Sequence, residues 1–135
     1  MEHPPHVRLV RSDQLGEHAR YADAALALGA GLVFTAGACP LDQAGEIVGV
    51  EDFAAQAEQV MTNLRIALRA IGADLPDVVK TTIYVATSSR EDLVTVWEIV
   101  SRHFGDHEAP STLLGVSVLG YRDQLVEVEA VAALA

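Results

Sequence analysis

Glu127 and Glu129 stand two positions apart in Val126-Glu-Val-Glu-Ala-Val-Ala132. In an extended strand that spacing puts both carboxylates on one face and Val126, Val128, Ala130 and Ala132 on the other. Neighbouring carboxylates can raise one another's pKa and perform acid–base work, although the same pattern is more commonly a solvent-facing strand. His103 and His107 have the four-residue spacing of zinc ligands on a helix, but Gly105 and Asp106 lie between them and should end a helix there. With no third ligand evident, they read as surface histidines, and no metal site is expected. His3, His6 and His18 fall in predicted loops and form no constellation. Cys39, just before Pro40, is a nucleophile if a base lies near it and otherwise a small buried hydrophobe. Arg65 and Arg69 make either a small basic patch or a solvated helix end. Trp97 is a core residue or the wall of a ligand pocket. Gly29-Ala-Gly31 lacks the third glycine and following helix of a dinucleotide fingerprint, and no Gly-Lys-Ser/Thr sequence exists, which excludes a P-loop.

The chain that must position these groups has 135 residues, one domain's worth, of which 50% are apolar and 21% charged. Such a chain buries about two thirds of its extended surface and is unsuited to disorder. Acids outnumber bases 19 to 9, for a net charge of −10, and Lys80 is the only lysine. So acidic a surface disfavours a phosphate backbone, and no nucleic acid partner is expected. Cys39 is the only cysteine, which excludes an intrachain disulfide. The start, Met1-Glu-His-Pro-Pro-His6, has no basic flank before an apolar stretch, and the longest apolar run, 24–37, is interrupted by glycines. A cytosolic protein with no membrane partner is expected. The large apolar share in so small a domain suggests that some surface is hidden in an oligomer.

Residues 7–11 read as a short strand, and the runs 24–28 and 32–36 as a hairpin about Gly29-Ala-Gly31. Phe53, Ala57, Val60, Met61, Leu64, Ala67, Leu68 and Ile71 recur at helical spacing, which predicts a long helix over 51–71 stopped by Gly72. Residues 78–87 alternate as a strand, with Val79, Thr81, Ile83 and Val85 on one face and Lys80, Thr82 and Tyr84 on the other. Ser88 with Glu91, or Ser89 with Asp92, has capping-box spacing and starts a helix that runs to Phe104, where Gly105 ends it. Two strands, 111–119 and 125–133, close the chain. Each helix can serve as a crossover between strands, so the simplest fold is α+β: one mixed six-stranded sheet with two helices packed on one face. The other face is left without cover from this chain.

Several stretches carry a more specific signal. They are Leu32-Val-Phe-Thr-Ala-Gly-Ala-Cys-Pro-Leu41, Gly45-Glu-Ile-Val48, Ala55-Gln-Ala-Glu-Gln-Val-Met-Thr-Asn-Leu64, Ala73-Asp-Leu-Pro-Asp-Val-Val-Lys-Thr-Thr-Ile-Tyr-Val85 and Val126-Glu-Val-Glu-Ala-Val-Ala132. In order and spacing, from about Tyr21 to Leu134, the chain resembles the RidA/YjgF family, also called L-PSP-like endoribonucleases. The resemblance implies a chorismate-mutase-like fold, a homotrimer whose sheets line an inner barrel, and small-molecule sites in the clefts between subunits. It implies hydrolysis of reactive imines and enamines from amino-acid metabolism to keto acids and ammonia, without a cofactor.

Residue by residue, the resemblance gives Glu127 the water-activating role and places Tyr21 and Gly37 in the cleft. The family's Pro-Ala-Arg-Ser departs here to Glu108-Ala-Pro-Ser-Thr112, so Pro110 stands where deaminating members carry arginine and Thr112 where a cysteine is frequent. Ala36, Ala38 and Trp97 replace a serine, a glutamine and an asparagine, and the loop before Glu127 is longer than usual. A bidentate partner for a substrate carboxylate is lost and the cleft becomes more apolar. Arg20 or Arg122 could supply a replacement cation. The departures point to a divergent imine or enamine deaminase acting on a small, carboxylate-poor metabolite. A non-catalytic small-molecule-binding or chaperone-like trimer is the alternative, and endoribonuclease activity rests on the family label alone.

Overall fold

The computed structural model describes residues 4–15, 20–29 and 31–135. His3 and His18 lie outside the described residues. The order is β1 (Val7–Val10), β2 (Ala24–Ala27), β3 (Gly31–Phe34), α1 (Phe53–Arg69), β4 (Val78–Ala86), α2 (Arg90–Phe104), β5 (Ser111–Val116) and β6 (Val126–Leu134), with a short 3₁₀ turn, Leu75–Asp77, before β4. These are the expected two helices and six strands with mixed pairing. The hydrogen-bonded ladders divide into a four-stranded sheet, β3-β6-β4-β5, and a separate β1-β2 pair. Only β4 and β5 run parallel, and α2 is the crossover that parallel neighbours require.

The expected hairpin between 24–28 and 32–36 does not form. β2 pairs antiparallel with β1, and β3 pairs antiparallel with β6. Gly29 serves a close approach instead of a hairpin turn: a Cβ there would lie 1.6 Å from the Leu134 carbonyl oxygen. The β1-β2 pair is tied back by His6 Nε2 to Asp77 Oδ1 at 2.7 Å and by the Ala22 amide donating to the Glu108 carbonyl at 2.7 Å.

Asp52 caps α1 by accepting the Ala55 amide at 3.0 Å, satisfying one of the helix's open N–H groups. The serine capping box expected on α2 is not made: Ser89 is the N-cap residue but its side chain bonds no helix amide. Thr87 takes Asp92 instead, donating from Oγ1 to Oδ2 at 2.6 Å.

Both helices pack on one face of the four-stranded sheet. Val60, Met61, Leu64 and Leu68 of α1 and Val96, Val100 and Phe104 of α2 meet Ile83, Val85, Val126 and Val128. The β4 alternation holds from Thr81 onward, but a bulge between Val78 and Lys80 turns Val78, rather than Val79, into the core. On the opposite face stand Lys80, Thr82, Tyr84, Glu127 and Glu129, flanked by the exposed Leu32, Phe34 and Leu114. Phe34 is 72% exposed, so the face expected to lack cover is bare in the single chain, polar at its centre rather than apolar throughout. Among the described residues no helix is long and apolar enough to cross a membrane.

Candidate functional site

Glu127 lies opposite Tyr84 on β6, and the segment 36–39 is drawn against it by a bridge between Ala38 and Val128. The Ala38 amide donates to the Val128 carbonyl at 2.7 Å, and Val128 returns the bond at 3.2 Å. α1 fixes the same segment from the other side, where Asn63 Nδ2 donates to the carbonyls of Cys39 and Leu41, each at 2.8 Å. Gly37 therefore passes directly over the Glu127 carboxylate. A Cβ at Gly37 would sit 2.3 Å from Oε2, so only glycine leaves room for the acid in this position. Oε1 accepts from Gln124 Nε2 at 3.2 Å and from the Cys39 thiol at 3.5 Å, and the same thiol also faces the Gly37 carbonyl at 3.4 Å.

This environment fits neither of the two readings of Cys39. Burial, first, and then the charge and hydrogen bond of Glu127 push the Cys39 thiol up. A thiol held protonated is a poor nucleophile and a competent donor. Cys39 is neither buried filler nor an activated nucleophile; it is a hydrogen-bond partner of the carboxylate.

Glu129 shares the Glu127 face, as the spacing requires, but has its own partner. The Tyr84 hydroxyl donates to Glu129 Oε1. That bond, then burial, then the charges of Glu129 and Glu127 push the Tyr84 phenol up and keep its proton on the donor. The two glutamates are thus held by different donors.

Tyr21 and Trp97 meet edge-on, with ring centroids 6.2 Å apart and planes at 77°, and share a recess with Ser111 and Leu113. Pro110 is buried, and its carbonyl accepts the Thr81 amide at 2.9 Å. Thr112 lies on the open sheet face, where its Oγ1 accepts from Lys80 Nζ at 2.6 Å. β5 is separated from β6 by β4, and the register sets Thr112 in line with Glu129, about 10 Å away across two strand spacings, with Glu127 two residues further along β6. Within one chain the expected site residues form two groups: Glu127 with Gly37, and Tyr21 with Trp97 on the far side of β5.

Two groups were given no site role by the sequence. Gln124, buried, links Glu127 to the preceding loop, and its position in a polar turn gave no signal of that. Lys80 is the cation bonded beside Thr112. Strand alternation already put it on the open face, but only the parallel β4-β5 pairing sets it next to Pro110 and Thr112. Arg20 lines a small recess with Trp97, Glu108 and Ser111, whereas Arg122 is exposed in the loop.

The remaining candidates have structural roles. His107 is fully buried rather than on the surface; its Nε2 lies 2.7 Å from the Val78 carbonyl. His103 Nε2 lies 2.7 Å from Glu58 Oε2, and no group of three or more potential metal ligands occurs among the described residues. Arg65 and Arg69 converge on Asp74, which consumes the basic patch.

Comparison with known proteins bears on the family and the fold. The family model described as endoribonuclease L-PSP matches residues 12–134. A RutC family protein of Pyrococcus abyssi is 37% identical over 101 residues, 74% of this chain and 76% of its own. A 2-iminobutanoate/2-iminopropanoate deaminase of Salmonella typhimurium is 33% identical over 104 residues, 75% of this chain and 78% of its own. Among solved structures, the Rid-family protein YyfB of Yersinia pestis superposes with a TM-score of 0.88 at 30% identity, covering 96% of this chain and 99% of that one. E. coli TdcF with bound serine superposes with a TM-score of 0.68 at 26% identity, covering 95% and 99%.

Proposed function

The chain belongs to the endoribonuclease L-PSP family, the RidA/YjgF proteins, and from that membership we propose that it is a cytosolic imine or enamine deaminase working at the inter-subunit clefts of a homotrimer. The observation that carries the reading is the Glu127 carboxylate, anchored through Oε1 with Oε2 against the Gly37 backbone. A positioned carboxylate is what hydrolysis of a C=N bond needs. Water adds to the carbon of the protonated imine as Glu127 takes its proton, leaving a neutral carbinolamine. The carboxyl then returns that proton to the nitrogen, the C–N bond breaks, ammonia leaves, and the remaining hydroxyl proton passes to solvent to give the carbonyl. No cofactor enters this sequence.

The trimer that family membership implies is supported by the bare, apolar-flanked sheet face and by the separation of Tyr21 and Trp97 from Glu127. A neighbouring subunit would cover the first and bring its own aromatic pair toward the second. Light scattering should give about three times the 14.4 kDa chain mass; a mass near one chain would refute the assembly.

The substrate is a small reactive metabolite other than the standard 2-imino acid. Pro110 offers no donor, Ala36, Ala38 and Trp97 make the cleft apolar, and Lys80 at Thr112 is a point charge rather than a bidentate fork. Ammonia release from imines and enamines generated in solution tests the activity. Glu127→Gln should cost about a hundredfold in rate. No release above buffer from the wild type, or equal release from the variant, would sink the proposal.

The same apolar replacements favour a second reading, a trimer that only holds a small molecule. Ligand-dependent thermal stabilisation without turnover would select it. RNA cleavage is disfavoured by the net charge of −10, and none should co-elute with the trimer.

A further inference from the structure

We propose that Cys39 and Gln124 are positioning residues, which engage one oxygen of Glu127 and leave the other, Oε2, to take the proton from water. The inference rests on the hydrolytic reading above and assigns the two carboxylate oxygens different work. Both side-chain donors address Oε1, Gln124 from 3.2 Å and Cys39 from 3.5 Å. A carboxylate bonded twice through one oxygen loses its freedom to rotate, and its open lone pairs are then those of Oε2, under Gly37.

The donors are themselves fixed from outside the site. Gln124 is 4% exposed; its Nε2 also donates to the Val126 carbonyl at 3.1 Å, and its Oε1 accepts the Tyr121 amide at 3.1 Å. The loop around it is gripped by Gln56 of α1, which is fully buried. Gln56 Nε2 donates to the carbonyls of Gly49 and Asp123 at 3.0 and 2.9 Å, and its Oε1 accepts the Leu125 amide at 2.7 Å. Asn63 holds the Cys39 carbonyl in the same manner. α1 thus sets both donors, and the donors set the acid, the arrangement in which supporting bonds orient a reactive group. The thiol has one proton and two acceptors, Gly37 O and Glu127 Oε1, of which the anionic oxygen is the stronger.

Kinetics and thiol chemistry test this together. Cys39→Val keeps the volume without the donor, Cys39→Ser restores a donor, and Gln124→Met removes the other. Cys39→Val and Gln124→Met should each lower kcat about tenfold with KM within a factor of two, as expected for a group that acts through the catalytic base. Cys39→Ser should recover most of the rate. An unchanged kcat, or a serine variant no better than valine, overturns the proposal.

A second measurement needs no turnover. Cys39 is the only cysteine, so alkylation by iodoacetamide reports it alone. Glu127→Gln removes the neighbouring negative charge and should speed alkylation severalfold at neutral pH, without a change in melting temperature. An unchanged rate overturns the contact even if the wild type hydrolyses imines. A wild type that hydrolyses none overturns the hydrolytic reading and the role of Oε2 with it, while the alkylation result still decides whether thiol and carboxylate are coupled.

Discussion

The Glu127 carboxylate occupies the space where a side chain on Gly37 would begin, 2.3 Å from an added Cβ. The three nearest atoms all belong to that side chain, from Oε2 through Cδ at 2.5 Å to Cγ at 2.8 Å, and none to backbone, so a methyl at Gly37 is accommodated by displacing the acid from its bonds to Gln124 and Cys39. Gly37→Ala should therefore keep nearly all of the stability and lose the activity. We expect kcat to fall at least tenfold with the melting temperature within about 2 °C of wild type. A loss of stability as large as that of a core mutation would show that Gly37 serves the fold instead.

Lys80 donates to Thr112 Oγ1 at 2.6 Å and is the cation bonded on the sheet face beside Pro110. If an anionic substrate uses it, Lys80→Met should lower kcat/KM for a carboxylate-bearing imine about tenfold, the worth of one charge-assisted bond, and leave an uncharged imine within a factor of two. Parallel loss on both substrates would assign Lys80 to assembly of the face.

Asp74 collects three stabilising partners. Its Oδ1 accepts the Leu75 amide at 2.8 Å in the cap of the 3₁₀ turn, and Arg65 and Arg69 reach it at 3.2 and 3.0 Å. Burial pushes its carboxyl up, but the Arg65 bond, the Leu75 amide and Arg69 together outweigh it and hold the acid below its ordinary value. A depressed carboxyl contributes stability that is present above its unfolded pKa and is lost as pH falls through the folded one. Asp74→Ala should cost about 1 kcal/mol near neutral pH, with the difference from wild type closing in acid. Denaturant titrations at fixed protein concentration from pH 7 to pH 3 would check it; a difference independent of pH would contradict the assignment.

His107 is fully buried against the Val78 carbonyl, beside the Phe104 ring at a centroid distance of 6.4 Å. His107→Leu keeps the bulk but leaves that carbonyl without its side-chain partner. The expected cost is about 1–3 kcal/mol, read from chemical denaturation. Added zinc should not alter the wild-type curve, and a zinc-dependent rise in stability would revive the metal reading.

Much of the scaffold was legible in residue order. The helical period of Phe53 to Leu68 and the strand alternation of Thr81 to Val85 are local properties of the chain, and each element formed close to its expected limits. The shared face of Glu127 and Glu129 was legible for the same reason, because the pleat fixes which side chains are neighbours. Pairing was less so. Residues 24–28 and 32–36 looked like a hairpin, yet each run found a distant partner, since ladder formation depends on which edge is free in the assembled fold.

By itself the sequence determined the elements and the family and marked Glu127 as the candidate acid, because period, motif and residue type act over short stretches of chain. Tertiary structure alone decided the acid's company. Cys39 and Glu127 are 88 positions apart, and Lys80 and Thr112 are 32 apart. A hydrogen bond across such distances exists only after the sheet has closed, and α1 has pinned the loops that carry the donors.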